Sequence, residues 1–249
     1  DAVGRGDTVA WCTQPGSYAE RVSLDPGAVA RVPPDVSAQV AAAVMLQGMT
    51  AHYLAIDTYP LRPGDKCLVH AGAGGVGHVA IQLAGAAGAR VATTVSSDEK
   101  AALVEALGAE RVIRYRDCDF VEQVLDWTDG NGVDVVLDSL GGNTFRRSLA
   151  ATRVYGQVVT LLDPGSGVEW SEARNRNLGI SFTLMLTPML QDLPDARRHQ
   201  TDILLRCAEL IEQDQLKPLV SKILPLEQAA SAHALIEDGH VQGKIVLTM

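Results

Sequence analysis

Cysteine is scarce in this chain: Cys12, Cys67, Cys118 and Cys207 are scattered over 249 positions with no Cys-x-x-Cys pair. That spacing excludes a dense disulfide framework and suits a reduced, cytoplasmic setting. Positive charge is also short. Lys and Arg total 21 against 30 Asp and Glu, a formal charge of −9. Such a balance repels phosphate backbones and anionic lipid heads, so neither nucleic acid nor a membrane is an expected partner. Internal repeats, low-complexity tracts and long linkers are missing. The chain opens on Asp rather than Met and without a signal peptide, so a preceding segment is expected.

What is present is the composition of a globular protein: 47% apolar residues, 20% charged and a mean hydropathy of +0.08, in a length that suits one to two domains. Residues 67–89 contain no Asp, Glu, Lys or Arg, and a window of that length could cross a bilayer. Six glycines lie inside it, at 72, 74, 75, 77, 85 and 88, together with His70, His78 and Gln82. A buried strand, a tight turn and a buried helix account for it better, because a Gly-rich break has no place in lipid.

Hydrophobic periodicity divides the chain. Residues 8–12, 18–24 and 29–32 read as β-type, before Ser37 caps a helical run that reaches Leu54 and breaks at residues 60–65, Pro-Leu-Arg-Pro-Gly-Asp. Strands are then expected over 67–70, 90–95, 112–115, 133–138 and 157–162, alternating with helices over 77–87, 98–107, 120–127 and 144–150. Near-continuous apolar strands between amphipathic helices predict a doubly wound parallel α/β sheet. A strand over 178–186, a helix over 195–213, a strand over 219–224, a helix over 226–236 stopped by Gly239, and a strand over 244–248 complete the reading.

Gly72-x-Gly74-x-x-Gly77 directly follows the first strand of that alternation and opens a helix. In this setting the pattern lets a pyrophosphate approach backbone N–H groups at a helix start, where the macrodipole favours negative charge. An NAD site places a carboxylate about 20 residues further on, at the end of the second strand. Val95 stands there instead, followed by Ser96, Ser97 and Lys100. Hydroxyls and a cation suit a 2′-phosphate, which favours NADPH over NADH. Asp98 and Glu99 speak against this as displaced ribose ligands, or are ordinary first-turn acids of a capped helix. Tyr115, between Arg114 and Arg116, falls near the same adenosine edge, where the arginines are equally readable as a solvated strand end. Asp138-Ser139-Leu140-Gly141-Gly142 ends the fourth strand on the ligand side, within reach of a nicotinamide.

Three segments, residues 45–54 (Met-Leu-Gln-Gly-Met-Thr-Ala-His-Tyr-Leu), 70–77 (His-Ala-Gly-Ala-Gly-Gly-Val-Gly) and 135–142 (Val-Val-Leu-Asp-Ser-Leu-Gly-Gly), occur in this order. The chain resembles the zinc-independent, zeta-crystallin-like quinone oxidoreductases of the medium-chain dehydrogenase/reductase superfamily. The resemblance covers essentially its whole length. It implies a Rossmann domain over residues 49–186 inserted into a partial GroES-like, β-rich catalytic domain formed by residues 1–48 and 187–249. It also implies NADPH as cofactor, hydride transfer to a quinone or α,β-unsaturated carbonyl, and a homodimer, here placed on the apolar strand over 178–186.

Residue by residue, the resemblance implies that Thr50 and Tyr53 contact the cofactor and that Gly75 and Val76 cover the pyrophosphate. Ser96 and Lys100 would hold the 2′-phosphate beside Tyr115, and Ser139 would lie by the cofactor. Leu161, Leu162 and Asp163, with Met185, Leu186 and Thr187, would flank the nicotinamide.

This sequence departs from the family in two places. The part of the catalytic domain that lines the substrate pocket in family members precedes the point where this chain begins, and the basic residue before the final strand is unmatched, Gly239 and His240 occupying the region. Zinc enzymes of the superfamily place a cysteine ligand where this chain has Gln47, and four dispersed cysteines build no structural zinc lobe. The six histidines show no ligand spacing, so no metal is expected. Direct hydride transfer needs aligned rings and little else, and no residue stands out as proton donor. An enoyl thioester reductase of the same fold and a non-catalytic NADPH-binding module are the rival readings.

Overall fold

The computed structural model describes residues 3–12, 14–239 and 241–249. The chain forms two compact units, one made of residues 1–50 and 185–249 and the other of residues 51–184.

In the first unit, β1 (Val9–Trp11) pairs antiparallel with β2 (Val29–Arg31). Residues 18–24 form no strand, contrary to their alternating pattern; Tyr18 instead bonds His233 Nε2 through its hydroxyl (3.0 Å). Alternation alone did not supply a ladder partner. Helix α1 (Ala38–His52) starts after Ser37, whose Oγ accepts from Val40 N (3.3 Å). It does not stop at Leu54 but widens into a π turn, Tyr53–Thr58.

In the second unit, β3 (Lys66–Val69), α2 (Gly77–Ala86), β4 (Arg90–Val95), α3 (Asp98–Ala106), β5 (Arg111–Arg114), α4 (Phe120–Trp127), β6 (Val133–Asp138) and α5 (Gly142–Ala151) alternate as the periodicity predicts. The next strand, β7 (Thr152–Thr160), begins five residues earlier than expected, because Tyr155 takes a left-handed backbone (φ +61°) that absorbs a register shift against β6. A short helix α6 (Trp170–Asn175) is an addition to the sequence reading, and β8 (Gly179–Phe182) is shorter than residues 178–186 suggested. It ends opposite Thr160, where β7 itself ends, and Leu184 and Leu186 lie past the ladder.

The six strands are parallel and ordered β5-β4-β3-β6-β7-β8, so two halves run outward from β3 and β6. Leu68, Ala92, Ile113, Val133, Val136 and Val158 from the sheet pack with Phe120, Val124, Phe145 and Leu149 from α4 and α5. This is the order of a dinucleotide-binding fold, whose ligands lie beyond the carboxyl ends of the strands where the order reverses.

The chain returns to the first unit with α7 (Thr187–Leu190), α8 (Pro194–Glu212), β9 (Val220–Pro225), α9 (Ala229–Glu237) and β10 (Lys244–Thr248). β9 and β10 pair in parallel. α8 buries Ile203, Leu204, Cys207 and Leu210 along one face, with Ile211 half-buried beside them.

Candidate dinucleotide site

At the carboxyl edge of the sheet, the loop after β3 is braced from β4. Thr93 Oγ1 donates to Val69 O (2.7 Å), Ala71 N donates to Thr94 Oγ1 (3.1 Å), and Gly72 N donates to Thr94 O (3.0 Å). Ala71 carries a left-handed backbone, φ +53°, a conformation that disfavours a residue with a Cβ by about 1–2 kcal/mol. Its carbonyl accepts from Gly74 N at 2.8 Å, which closes the turn. Space explains two of the glycines: a Cβ on Gly72 would lie 2.1 Å from Thr93 Oγ1, and one on Gly77 would lie 2.3 Å from Ala71 O.

Helix α2 then opens at Gly77 with no side-chain cap, and the N–H groups of Gly75 and Val76 have no acceptor among the described residues. Donors at an uncapped helix start, behind a loop stripped of Cβ atoms, form a cradle for an anion. The residues present thus fit the diphosphate of a dinucleotide.

The loop after β4 follows the buried Val95. Ser97 serves as cap of α3, its Oγ accepting from Lys100 N (3.3 Å), while Ser96 and Lys100 are half-buried beside it. Tyr115 N donates to Val95 O (3.2 Å), which sets the half-exposed Tyr115 against the same strand end. Asp98 pairs with Arg114, and Arg114 Nε also meets Asp117 Oδ2 at 3.1 Å. Arg114 is thus engaged by two carboxylates and Arg116 is exposed, an arrangement that matches the solvated strand end, one of the two readings left open for these arginines.

After β6, Asp138 is fully buried and completely bonded. Its carboxylate accepts from Leu140 N (2.9 Å), Gly141 N (3.1 Å) and the Thr160 hydroxyl (2.9 Å). These bonds fold back residues 139–141, where Gly141 has φ +65° and a Cβ would meet Asp163 O at 2.8 Å. Leu161 N donates to Asp138 O (3.0 Å) and Gly142 N to Asp163 O (3.3 Å). The structure therefore brings Ser139 together with Leu161, Leu162 and Asp163. Tyr53 sits half-buried in the π turn, which is tied to the end of β8 through Thr58 and Thr183 (2.9 Å between hydroxyls).

The remaining expected residues belong to the first unit. The Thr50 hydroxyl donates to Leu46 O (2.7 Å) in its own helix. Met185 is buried, with its carbonyl held by Gln200 Nε2 (2.5 Å), and Leu186 and Thr187 lead into α7. His240 lies outside the described residues.

Gln47 is buried beneath β10. With its amide turned to satisfy both ends, it donates to Ala43 O (3.2 Å) and accepts from Lys244 Nζ (3.0 Å). Burial pushes the Lys244 ammonium below its usual range. A carboxamide bonded to an ammonium is a poor place for a divalent cation, since amide oxygen is a weak zinc ligand and the neighbouring charge repels the metal. Lys244 also lines a mainly apolar concavity of about 590 Å³ with Trp11, Tyr18, Met45 and Met249.

Sequence reasoning missed the braces of the site: Thr93 and Thr94 on β4, Thr160 on β7, and a buried imidazole, His70, between Thr94 and Ser148. The available signal was hydroxyls inside otherwise apolar strands.

A family described as zinc-binding dehydrogenase matches residues 107–247. The chain is 36% identical over 253 residues to a 2-haloacrylate reductase from a Burkholderia species, covering 97% of this chain and 74% of that protein. It is 33% identical over 250 residues to a reducing polyketide synthase of Metacordyceps chlamydosporia, covering 98% of this chain and 10% of the synthase. The crystal structure of Escherichia coli quinone oxidoreductase complexed with NADPH superposes with a TM-score of 0.90 at 31% identity, over 99% of this chain and 76% of that one. The chain belongs to the quinone oxidoreductase branch of the medium-chain dehydrogenase/reductase superfamily.

Proposed function

We propose that this chain serves an NADPH-dependent reductase that delivers hydride, without zinc, to a quinone or an α,β-unsaturated carbonyl. The observation that carries the reading is the end of β4: where a ribose-binding carboxylate would select NADH, buried Val95 is followed by Ser96, the capping Ser97 and Lys100, with Tyr115 alongside. The relatives described above, a 2-haloacrylate reductase and an NADPH-bound quinone oxidoreductase, support it.

In this reading Gly75 and Val76 bind the diphosphate through their N–H groups, aided by Gly72, Gly74 and Gly77. Ser96, Ser97 and Lys100 hold the 2′-phosphate beside Tyr115. Tyr53 and Ser139, with residues 161–163, line the nicotinamide end. The cofactor supplies a hydride when bound; the chain's part is to orient it and keep water out.

Calorimetry with NADPH and NADH tests the cofactor, with at least tenfold tighter NADPH binding expected. NADPH oxidation with 1,2-naphthoquinone and crotonyl-CoA tests the substrate. The match to a reducing polyketide synthase favours a second reading, reduction of an enoyl thioester, which turnover of crotonyl-CoA alone would select.

Two copies associate through β8, an edge strand four residues long with Phe182 65% exposed at its end. Sedimentation at micromolar concentration is expected to give a dimer, and a monomer would count against this edge. We place the protein in the cytoplasm, a reading supported by its four scattered cysteines and their spacing. Among the described residues, no helix is long and apolar enough to cross a membrane.

A further inference from the structure

His70 is a fully buried imidazole that the proposed reaction does not use, yet both its nitrogens are engaged. Nδ1 lies 3.2 Å from Thr94 Oγ1 on β4, and Nε2 lies 2.8 Å from Ser148 Oγ on α5. The proton positions follow by elimination. A hydroxyl has one proton, and Ser148 donates its own to Thr144 O (2.8 Å). Ser148 Oγ must therefore accept from His70, which places the imidazole proton on Nε2. Nδ1 is left as an acceptor and takes the proton of Thr94, so the Thr94 oxygen turns its lone pairs to the N–H of Ala71, 3.1 Å away. Phe120 meets the ring edge to face at 4.9 Å.

Ala71 is the residue on which the loop turns. Its backbone is left-handed, and its carbonyl both accepts from Gly74 N and occupies the space beside Gly77. We infer that His70 is a positioning residue: through Thr94 it holds Ala71 in the conformation that aims the Gly75 and Val76 N–H groups at the cofactor diphosphate. This rests on the dinucleotide reading above and adds to it a chain of one-way hydrogen bonds, from α5 through β4 to the loop. His70 touches no reacting atom.

The test compares two ligands by calorimetry. NADPH carries the diphosphate; 2′-AMP carries the adenosine and the 2′-phosphate without it. Thr94→Val, which keeps the shape and removes the hydroxyl, and His70→Gln are expected to weaken NADPH about tenfold while 2′-AMP binds as it does to the parent chain. Thr94→Ser, which restores the hydroxyl, is expected to rescue NADPH binding.

NADPH affinity unchanged in Thr94→Val, or equal weakening of both ligands, overturns the inference and leaves the cofactor reading intact. A parent chain that binds no NADPH overturns both. Nitrogen NMR of the unaltered chain supplies a measurement that depends on no variant: the Nε2–H tautomer of His70 is expected, and the Nδ1–H tautomer would overturn the inference.

Discussion

Thr93 Oγ1 occupies the place where a side chain on Gly72 would begin: a Cβ there would lie 2.1 Å from the oxygen, which is itself bonded to Val69 O. Both residues are buried, so neither strand nor loop has room to give. Gly72→Ala is therefore expected to destabilise the chain by about 1–3 kcal/mol, the usual cost of overpacking, and to weaken NADPH binding as well. Urea unfolding reads the first and calorimetry the second. Adding Thr93→Ala to Gly72→Ala removes the clashing oxygen and should recover part of the stability; no recovery would mean that the clash is not the cause.

Selectivity for the 2′-phosphate should reside in Lys100 and Ser96. Replacing Lys100 by Ala removes a cation from the first turn of α3, and about 1.5–3 kcal/mol is typical of a hydrogen bond to a charged group. NADPH affinity is expected to fall by tenfold or more with NADH affinity unchanged. If both cofactors weaken together, Lys100 supports the fold rather than reading the phosphate.

Much of this architecture was legible because hydrophobic periodicity and punctuation agree. β4, α4, β6 and β10 have the bounds their apolar runs predict, and Gly108, at φ +99°, follows the expected end of α3 at residue 107. Length of pairing was less legible. β8 stops where its neighbour stops, a tertiary constraint that the apolar run through Leu184 and Leu186 conceals. The glycine loop was visible as a pattern, but what holds it was not, because a period-2 reading treats Thr93 and Thr94 as strand residues and is blind to which hydroxyl turns to a neighbouring backbone. Arg114 shows the converse: sequence alone left it open between a phosphate-site cation and a solvated strand end, and the fold placed Asp98 across from it.

Asp138 should prove to be a structural carboxylate. Its two oxygens satisfy two backbone N–H groups and the Thr160 hydroxyl in a fully buried setting. Asp138→Ala leaves the N–H groups of Leu140 and Gly141 without their acceptor, while the Thr160 hydroxyl can turn to Leu162 O (3.0 Å), and unpaired buried donors cost about 1–3 kcal/mol each. A loss of about 3 kcal/mol in urea unfolding is expected, with residues 139–141 cleaved faster by protease. A loss below about 1 kcal/mol would show that the loop holds its shape without the carboxylate.

The buried imidazole gives stability a pH dependence with a definite sign. Burial pushes His70 down to about 4 from 6.5; the Asp138 carboxylate opposes the shift and the Arg147 guanidinium adds to it. The unfolded chain thus takes up a proton near 6.5 that the fold refuses until about 4. The neutral ring's contribution is complete above the unfolded value and is lost as pH falls through that window, by about 3 kcal/mol in all. Carboxylates titrate toward the lower end of the same range, so the measurement must be a difference. His70→Gln cannot take up the proton but suffers every other titration, so the stability gap between parent and variant isolates the imidazole. That gap is expected to shrink by about 2–3 kcal/mol between pH 7.5 and pH 4.5. A constant gap would mean that His70 is no harder to protonate in the fold than outside it, and that the Thr94 hydroxyl is not donating to Nδ1.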